Sequence, residues 1–237
     1  MTGGGAPAPY RFASKKTTLR SRNAEEPRLR IVAGKWRSRR LVPVRDRGTR
    51  PTADRVREAW MSILGPRIEG AEVADLFAGS GALGLEALSR GASHVTFVER
   101  SRRALCVLER NIRALEADGD ATVVRGDALA HLPALSRLRC DVALADPPYG
   151  RGYASELVSA FERRPFAREL WIEHRVDEPL PPDVSVRQRR YGDTVLTAVA
   201  LPRGAARRES REGSSAGRPV ARSPGMRRMP RRKAGLR

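Results

Sequence analysis

The clearest architectural signal in the chain is Glu72-Val-Ala-Asp-Leu-Phe-Ala-Gly-Ser-Gly-Ala-Leu-Gly84, a short apolar run that leads into closely spaced glycines. A helical pattern follows, so the order predicts a strand, a tight turn and a helix. Glycine lets the backbone turn without a Cβ clash, and the first turn of the helix offers unpaired N–H groups to a ligand. Gly79, Gly81 and Gly84 also fit G-x-G-x-x-G, which keeps a nicotinamide cofactor among the candidates.

From this point onward, short apolar runs alternate with helical patterns. The predicted strands are 72–77, 94–99, 121–125, 141–145 and 170–174, and the predicted helices are 83–90, 101–115, 128–135 and 153–163. Such alternation is typical of an α/β fold with a mostly parallel sheet covered on both faces. Two further β-rich runs, 184–191 and 194–201, flank Gly192-Asp193 and predict a C-terminal antiparallel hairpin.

An acidic residue stands at the end of each of the first four predicted strands, namely Asp75, Glu99, Asp127 and Asp146. An open α/β sheet binds its ligand at the carboxyl ends of its strands, so we expect all four at one rim. Asp75 precedes the glycines, where an anion repels a pyrophosphate but favours the cationic methionine part of S-adenosylmethionine. Glu99 is placed to accept ribose hydroxyls in either cofactor. Asp127 can accept the adenine amino group or cap the following helix, and both interpretations stay open.

Asp146-Pro147-Pro148-Tyr149 follows the apolar run 141–145 and supplies a carboxylate, a rigid turn and an aromatic ring. Proline has no N–H donor, so carbonyl groups in this turn are left to accept hydrogen bonds from a ligand amine. These groups suit a flat base held by its exocyclic amino group. The alternative is a proline turn with a surface aspartate and a half-buried tyrosine.

These motifs resemble those of class I S-adenosylmethionine-dependent methyltransferases, which have a Rossmann-like fold. Two further blocks, Arg30-Ile-Val-Ala-Gly-Lys-Trp36 and Arg50-Pro-Thr-Ala-Asp-Arg-Val-Arg-Glu58, make the chain similar to the RsmD family. That family methylates N2 of a guanine in small-subunit ribosomal RNA. The resemblance covers roughly residues 29–201 and implies the same donor, S-adenosylmethionine, and the same substrate class.

The resemblance also implies roles for individual residues. The donor is expected to contact Asp75, Phe77, Ala78, Gly79, Ser80, Gly81, Glu99, Arg100, Asp127, Ala128 and Asp146. Asp146, Pro147 and Tyr149 are expected at the target base. The same four-residue motif would serve a DNA methyltransferase acting on adenine N6 or cytosine N4, and a non-catalytic RNA-binding ribosome-assembly factor could keep the fold. A nicotinamide oxidoreductase is the last alternative.

The segment 29–65 predicts a small β-hairpin over 29–44 and a helix over 53–64 that Thr52 can cap. Its basic and aromatic residues are the expected RNA contacts: Lys35, Trp36, Arg37, Arg39, Arg40, Arg50 and Thr52. A purely structural role for Trp36 within the hairpin is an equal alternative.

The net charge of +19 is concentrated at the two ends of the chain. Residues 1–50 carry +11 and residues 203–237 carry +10, whereas the middle carries −2. This distribution predicts a polyanionic partner contacted mainly from the flanks, although a coding bias towards arginine would look the same. We expect a flexible basic tail over 1–28, the hairpin and helix extension over 29–65, a methyltransferase domain over 66–202 and a disordered Arg-rich tail over 203–237.

Several classes of protein are disfavoured. No apolar run approaches the roughly 18 residues of a membrane span, and the basic N-terminus lacks the apolar core of a signal peptide. Cys106 and Cys140 have no metal-ligand spacing, so no metal is expected. The resemblance implies small-subunit ribosomal RNA, either naked or within an assembling subunit, as the partner, and we expect the protein to be a cytoplasmic monomer.

Overall fold

A computed structural model of the protein describes residues 29–44, 54–138, 140–182, 184–201 and 226–228. The helices are α1 Asp54–Leu64, a 3-10 helix Gly65–Ile68, α2 Ala82–Ser89, α3 Arg102–Ala114, α4 Ala128–Leu138 and α5 Tyr153–Arg163. The strands are β1 Glu72–Asp75, β2 His94–Glu99, β3 Ala121–Arg125, β4 Cys140–Ala145, β5 Ala167–Arg175, β6 Arg187–Tyr191, β7 Thr194–Ala200 and β8 Met226–Arg228. No helix in these ranges is long and apolar enough to cross a membrane.

All eight strands form one sheet in the order β6-β7-β5-β4-β1-β2-β3-β8. The five strands from β1 to β5 pair in parallel, whereas β6, β7 and β8 pair antiparallel to their neighbours. The predicted α/β fold with a C-terminal antiparallel hairpin is therefore confirmed. The chain order changes direction between β1 and β4, and this switch point is where an open sheet of this kind leaves a crevice for its ligand.

Both faces of the sheet are covered by helices, as the alternating pattern requires. On one face, Trp60 of α1 and Leu85 of α2 are buried in the same cluster as Phe97 of β2. On the other face, Phe161 and Phe166 lie edge to face with ring centroids 5.4 Å apart, within a cluster that includes α4 and α5. Since burying an aromatic side chain is worth on the order of 2–3 kcal/mol, these two clusters hold the layers together.

The observed bounds differ from the predicted ones by a few residues at several ends: β1 ends at Asp75 rather than at residue 77, and β6 begins at Arg187 rather than at residue 184. We predicted that β5 begins at residue 170, but it begins at Ala167 because Ala167 and Glu169 pair with β4. The Glu169 carboxylate is satisfied there by Arg67, with Nη1 and Oε1 3.0 Å apart. Helix α4 likewise continues through Pro133 to Leu138, beyond the predicted end at residue 135.

The N-terminal segment reverses direction as predicted. The Ile31 N–H donates to Arg39, the Ser38 N–H to Ile31 and the Leu41 N–H to Leu29, each at 2.9 Å, around an antiparallel bridge between Arg30 and Arg40. The Val32 and Ala33 N–H groups donate instead to the buried Glu86 carboxylate of helix α2, at 2.7 and 2.9 Å. The segment is thereby attached to the body of the protein.

Two predictions concern the parts of the chain outside the core. The proposed cap Thr52 and the tail 1–28 lie outside the described residues. The tail 203–237, expected to be without regular structure, contributes the short strand β8, which pairs with β3 from Thr122 to Val124. Edge pairing uses backbone N–H and C=O groups, so a sequence poor in apolar side chains does not prevent it.

Candidate active site

The glycine turn between β1 and α2 is fixed by backbone hydrogen bonds to the neighbouring strands. The Leu76 N–H donates to Leu144 of β4 at 2.9 Å, and the Ala78 N–H donates to Val98 of β2 at 3.1 Å. Gly81 lies at the N-cap of α2 with φ of +82°, a conformation that favours glycine. The loop is therefore held between the ends of three adjacent strands.

At position 84, packing rather than backbone conformation requires a glycine. A Cβ atom at this position would lie 2.4 Å from the Phe97 ring and 2.9 Å from Val95, so the helix could not pack this closely on β2. The third glycine of the motif thus sets the distance between helix and sheet, and it brings the first turn of α2 over the rim.

Asp75 is buried directly beneath this helix. It is 1% exposed, and its Oδ2 accepts the Gly84 N–H at 3.0 Å. Burial raises the pKa of Asp75 to about 7; the hydrogen bond from Gly84 opposes this shift, and the charges of Asp146 and Glu99 reinforce it. The carboxylate therefore anchors α2 to β1, and Asp146 and Glu99 lie close enough for their charges to act on it.

Glu99, at the end of β2, is the second acid of the rim. Its Oε2 accepts the Gly79 N–H at 2.8 Å and its Oε1 accepts the Ser101 N–H at 2.7 Å. These bonds hold the carboxylate at the mouth of the glycine loop, where each oxygen keeps a further lone pair for a ligand hydroxyl.

Asp127 caps helix α4. Its Oδ1 accepts the Leu129 N–H at 3.0 Å, and its Oδ2 lies 3.8 Å from Nη1 of Arg100, so the capping interpretation is confirmed. Capping occupies one oxygen and leaves the other towards Arg100. Ala128 is buried next to it, so the predicted donor residues after β2 and β3 come together at this corner.

The loop residues Phe77 and Ser80 contact helices on opposite faces of the sheet. The Phe77 ring packs edge to face against Tyr153 of α5 with centroids 5.1 Å apart. The Ser80 carbonyl accepts from Asn111 Nδ2 at 2.9 Å. The same Asn111 side chain exchanges two hydrogen bonds with the backbone of Val42, at 2.8 and 3.0 Å. Asn111, which the sequence analysis missed, therefore connects the glycine loop to the N-terminal segment.

The Asp146-Pro147-Pro148-Tyr149 turn leaves the end of β4 at the same rim. Asp146 is half-buried, Pro147 is buried and Pro148 is exposed. Tyr149 is 38% exposed, and its hydroxyl donates to Glu173 Oε1 at 2.7 Å. Glu173 thus holds the hydroxyl end of the ring, while more than a third of the residue stays exposed. Tyr149 therefore has the exposed aromatic surface expected of a base-binding motif and the partial burial expected of a structural turn.

Glu173 is a site residue that the sequence analysis missed. It lies in β5 and is 3% exposed; because Ala145 pairs with Ile172, the next position along places Glu173 beside Asp146. Burial, and then the Asp146 charge, raises the pKa of Glu173 to about 8, while the Tyr149 hydrogen bond opposes the shift. The available signal was an acid directly after an apolar strand run, in the same position as the four acids that were recognised.

The predicted RNA contacts in the N-terminal segment lie away from this rim. Lys35 Nζ stands 4.3 Å from the centroid of the Trp36 ring and 3.9 Å from Asp120, which precedes β3. Arg39 donates to the Ala114 carbonyl at the end of α3 at 2.6 Å. Asp120 and Ala114 both lie at the amino end of the sheet. Lys35 and Arg39, which form the basic tip of the N-terminal segment, therefore lie at the opposite end of the sheet from Asp146. Arg37 and Arg40 are exposed, and Arg50 and Thr52 lie outside the described residues.

A depression of about 400 Å³ also lies at the amino end of the sheet, between the 3-10 helix and β5. Four of its five charged side chains form two pairs, Arg67 with Glu169 at 3.0 Å and Arg168 with Asp141 at 3.3 Å. It contains none of the rim acids, so we place the functional site at the carboxyl end of the strands.

Comparison with known proteins relates most of the described chain to one family. The sequence profile of the family described as "Conserved hypothetical protein 95" matches residues 29–200. Ribosomal RNA small subunit methyltransferase D of Escherichia coli is 40% identical over 156 residues, which are 65% of this chain and 78% of the relative. Putative rRNA methyltransferase YlbH of Bacillus subtilis is 35% identical over 182 residues, 73% of this chain and 97% of the relative.

Solved structures agree with this relationship. The structure of the putative methyltransferase yhhF from Escherichia coli superposes with a TM-score of 0.61 at 34% sequence identity. The match covers 73% of this chain and 97% of that one.

Proposed function

The chain belongs to the RsmD family, described as "Conserved hypothetical protein 95", and from that membership we propose that it methylates the exocyclic N2 of a guanine in small-subunit ribosomal RNA. The proposed donor is S-adenosylmethionine. The observation that carries the proposal is that the proposed donor site and the proposed base site are adjacent. Because β1 pairs with β4, the glycine loop after Asp75 lies beside the Asp146 turn.

The chemistry of the rim fits a cationic donor. Asp75, Glu99 and Asp146 interact closely enough for the last two to raise the pKa of the first, which marks a region of accumulated negative charge. This charge favours a sulfonium and disfavours the pyrophosphate of a nicotinamide dinucleotide. Glu99 would accept the ribose hydroxyls, and the corner at Asp127 and Ala128 would receive the adenine.

S-adenosylmethionine supplies a methyl group on a sulfonium that is already a good leaving group, so the contribution of the protein is alignment. The glycine loop, fixed by its bonds to β2 and β4, would hold the donor in place. The Asp146 turn would then present the amine along the line from the methyl group to the sulfur.

Guanine N2 is a poor nucleophile because its lone pair is delocalised into the ring. Two hydrogen bonds, from its N–H groups to the Asp146 carboxylate and to the Pro147 carbonyl, would localise the lone pair towards the methyl group and stabilise the developing positive charge. Asp146 would accept the proton afterwards. Tyr149, held by Glu173, would stack on the base; such stacking is worth about 1–3 kcal/mol, comparable to the cost of extracting a base from its stack.

The names of the two relatives refer to ribosomal RNA, which favours this substrate over DNA adenine or cytosine. We also propose that the protein acts as a monomer in the cytoplasm, on naked RNA or on an assembling subunit.

Replacing Asp146 tests the proposal. We expect Asp146→Ala to abolish transfer of a tritiated methyl group to unmodified small-subunit ribosomal RNA while calorimetry shows donor binding largely intact. The control is Asp141→Asn on the same strand: this side chain lies at the amino end, 3.3 Å from Arg168, so activity should be retained. Near-normal turnover in Asp146→Ala would refute the assigned role.

A further inference from the structure

The outer strand of the C-terminal hairpin, β6, carries three exposed arginines at one edge of the sheet. They differ in what their guanidinium groups contact. Arg187 Nη2 lies 3.9 Å from Glu169 Oε1, and Arg190 Nε donates to the Gly192 carbonyl at 2.7 Å. Within the ranges that the structure describes, the Arg189 guanidinium makes neither a hydrogen bond nor an ion pair.

The strand register connects Arg189 to the active site. Arg189 pairs with Leu196 of β7, and Leu196 pairs with Glu173 of β5. Side chains of paired residues leave the sheet on the same face, so Arg189 shares the face of Glu173, which holds Tyr149. Neighbouring strands lie about 4.8 Å apart, which places the Arg189 backbone about 10 Å from that of Glu173.

Arg189 also lies at the correct end of the sheet. Both β5 and β6 are antiparallel to β7, so they run in the same direction and their carboxyl ends meet at the rim. Arg187 pairs with Ala198, two residues further along β7, and therefore stands about 7 Å further from the rim. Arg190 projects to the other face because side chains alternate along a strand.

We propose that Arg189 docks the RNA at this edge, by binding a backbone phosphate near the nucleotide whose base enters between Asp146 and Tyr149. The planar guanidinium matches a phosphate with two parallel hydrogen bonds, and β6 contains no acidic residue that would oppose the approach. The basic tip around Lys35 lies at the opposite end of the sheet and cannot make this contact. The inference rests on the proposed function and specifies where its RNA substrate is held.

Three single substitutions in one strand test it, since each removes one exposed positive charge. For Arg189→Ala we expect kcat/KM for a transcript of small-subunit ribosomal RNA to fall by roughly tenfold. The slope of log affinity against log salt, from fluorescence titration of the labelled transcript, should decrease in magnitude by roughly 0.7 to 0.9. Arg187→Ala and Arg190→Ala should stay within about twofold of wild type, and Arg189→Lys should recover part of the loss, because the charge is kept.

The outcomes separate this inference from the function on which it rests. Equal effects of the three alanine variants on both readouts, or a wild-type salt slope in Arg189→Ala, would overturn the docking role even in an active enzyme. If the wild type transfers no methyl group, the proposed function fails, and the titration still decides whether Arg189 contacts RNA. Unchanged thermal melting and donor affinity in Arg189→Ala would exclude loss of the fold as the cause.

Discussion

At the scale of single residues, the site is built from acids that occupy equivalent positions but serve different purposes. Asp75 anchors a helix and Glu99 fixes a loop, whereas Asp146 is proposed to bind the target base. Their common placement was predictable because each stands at the carboxyl end of a strand. The separate role of each acid was not predictable, because that role depends on which N–H groups the fold brings to each carboxylate. Glu173 was missed because β5 continues past it to Arg175.

Glu173 is expected to act through Tyr149. Glu173→Ala removes the acceptor of the Tyr149 hydroxyl, and we expect kcat/KM for RNA to fall by roughly tenfold, corresponding to about 1.4 kcal/mol of lost stacking. Glu173→Gln keeps a neutral acceptor and should remain within about twofold of wild type. If the hydroxyl mediates the effect, Tyr149→Phe combined with Glu173→Ala should cost no more than the larger single change. Additive losses in this kinetic cycle would contradict the connection.

The buried Asp75 predicts a pH dependence of stability. Its pKa is raised from the ordinary value of 3.8 to about 7, so the unfolded chain releases this proton near pH 4 and the folded chain keeps it until about pH 7. The free energy of unfolding therefore decreases between these two values, by up to about 1.4 kcal/mol per pH unit, and levels off above them. Asp75→Asn should lack this component, because a neutral amide does not titrate.

Urea unfolding of wild type and Asp75→Asn at pH 5, 6, 7 and 8 measures this component. The difference between the two proteins should shift in favour of the variant as the pH rises. Glu173, with a pKa raised to about 8, contributes a similar decrease in both proteins and cancels in the comparison. Parallel curves would show that Asp75 is ionised throughout.

At the scale of elements, the alternating pattern predicted the order of strands and helices from β1 to β7, because burial on one or both faces imposes a period on the sequence. The N-terminal hairpin itself was predicted, but its attachment to the body of the protein was not. Its Val32 and Ala33 N–H groups donate to Glu86, which lies 53 residues further along the chain from Ala33. A contact of that separation leaves no local pattern.

The Glu86 carboxylate is expected to be essential for attaching this segment. It is 0% exposed and accepts the Val32 and Ala33 N–H groups and Arg90 Nε, the last at 2.8 Å. Glu86→Gln should lower the free energy of unfolding by about 3–5 kcal/mol, because buried donors lose a charged acceptor. The control Glu109→Gln breaks an exposed pair with Arg113 and should cost less than about 1 kcal/mol. Similar denaturation midpoints for the two variants would contradict the structural role of Glu86.

At the scale of the whole molecule, the basic residues of the N-terminal segment are separated from the acidic residues of the proposed site. The acids of the site cluster at one end of the sheet, whereas Lys35 and Arg39 contact residues at the other. Net charge alone predicts a polyanionic partner, but it cannot assign a basic residue to an end of the sheet, because that assignment follows from strand register. The register places Arg189, which the sequence analysis did not select, on the face and at the end where the base is proposed to bind.

The most direct test of the account is to identify the nucleoside that the protein methylates. Unmodified small-subunit ribosomal RNA, naked and within assembled subunits, would be incubated with the full chain and S-adenosylmethionine, digested to nucleosides and analysed by mass spectrometry. We predict N2-methylguanosine at a single position, absent when Asp146→Ala replaces the wild type. A methyl group on adenosine or cytidine, or no methyl transfer to either form of the RNA, would contradict the central claim.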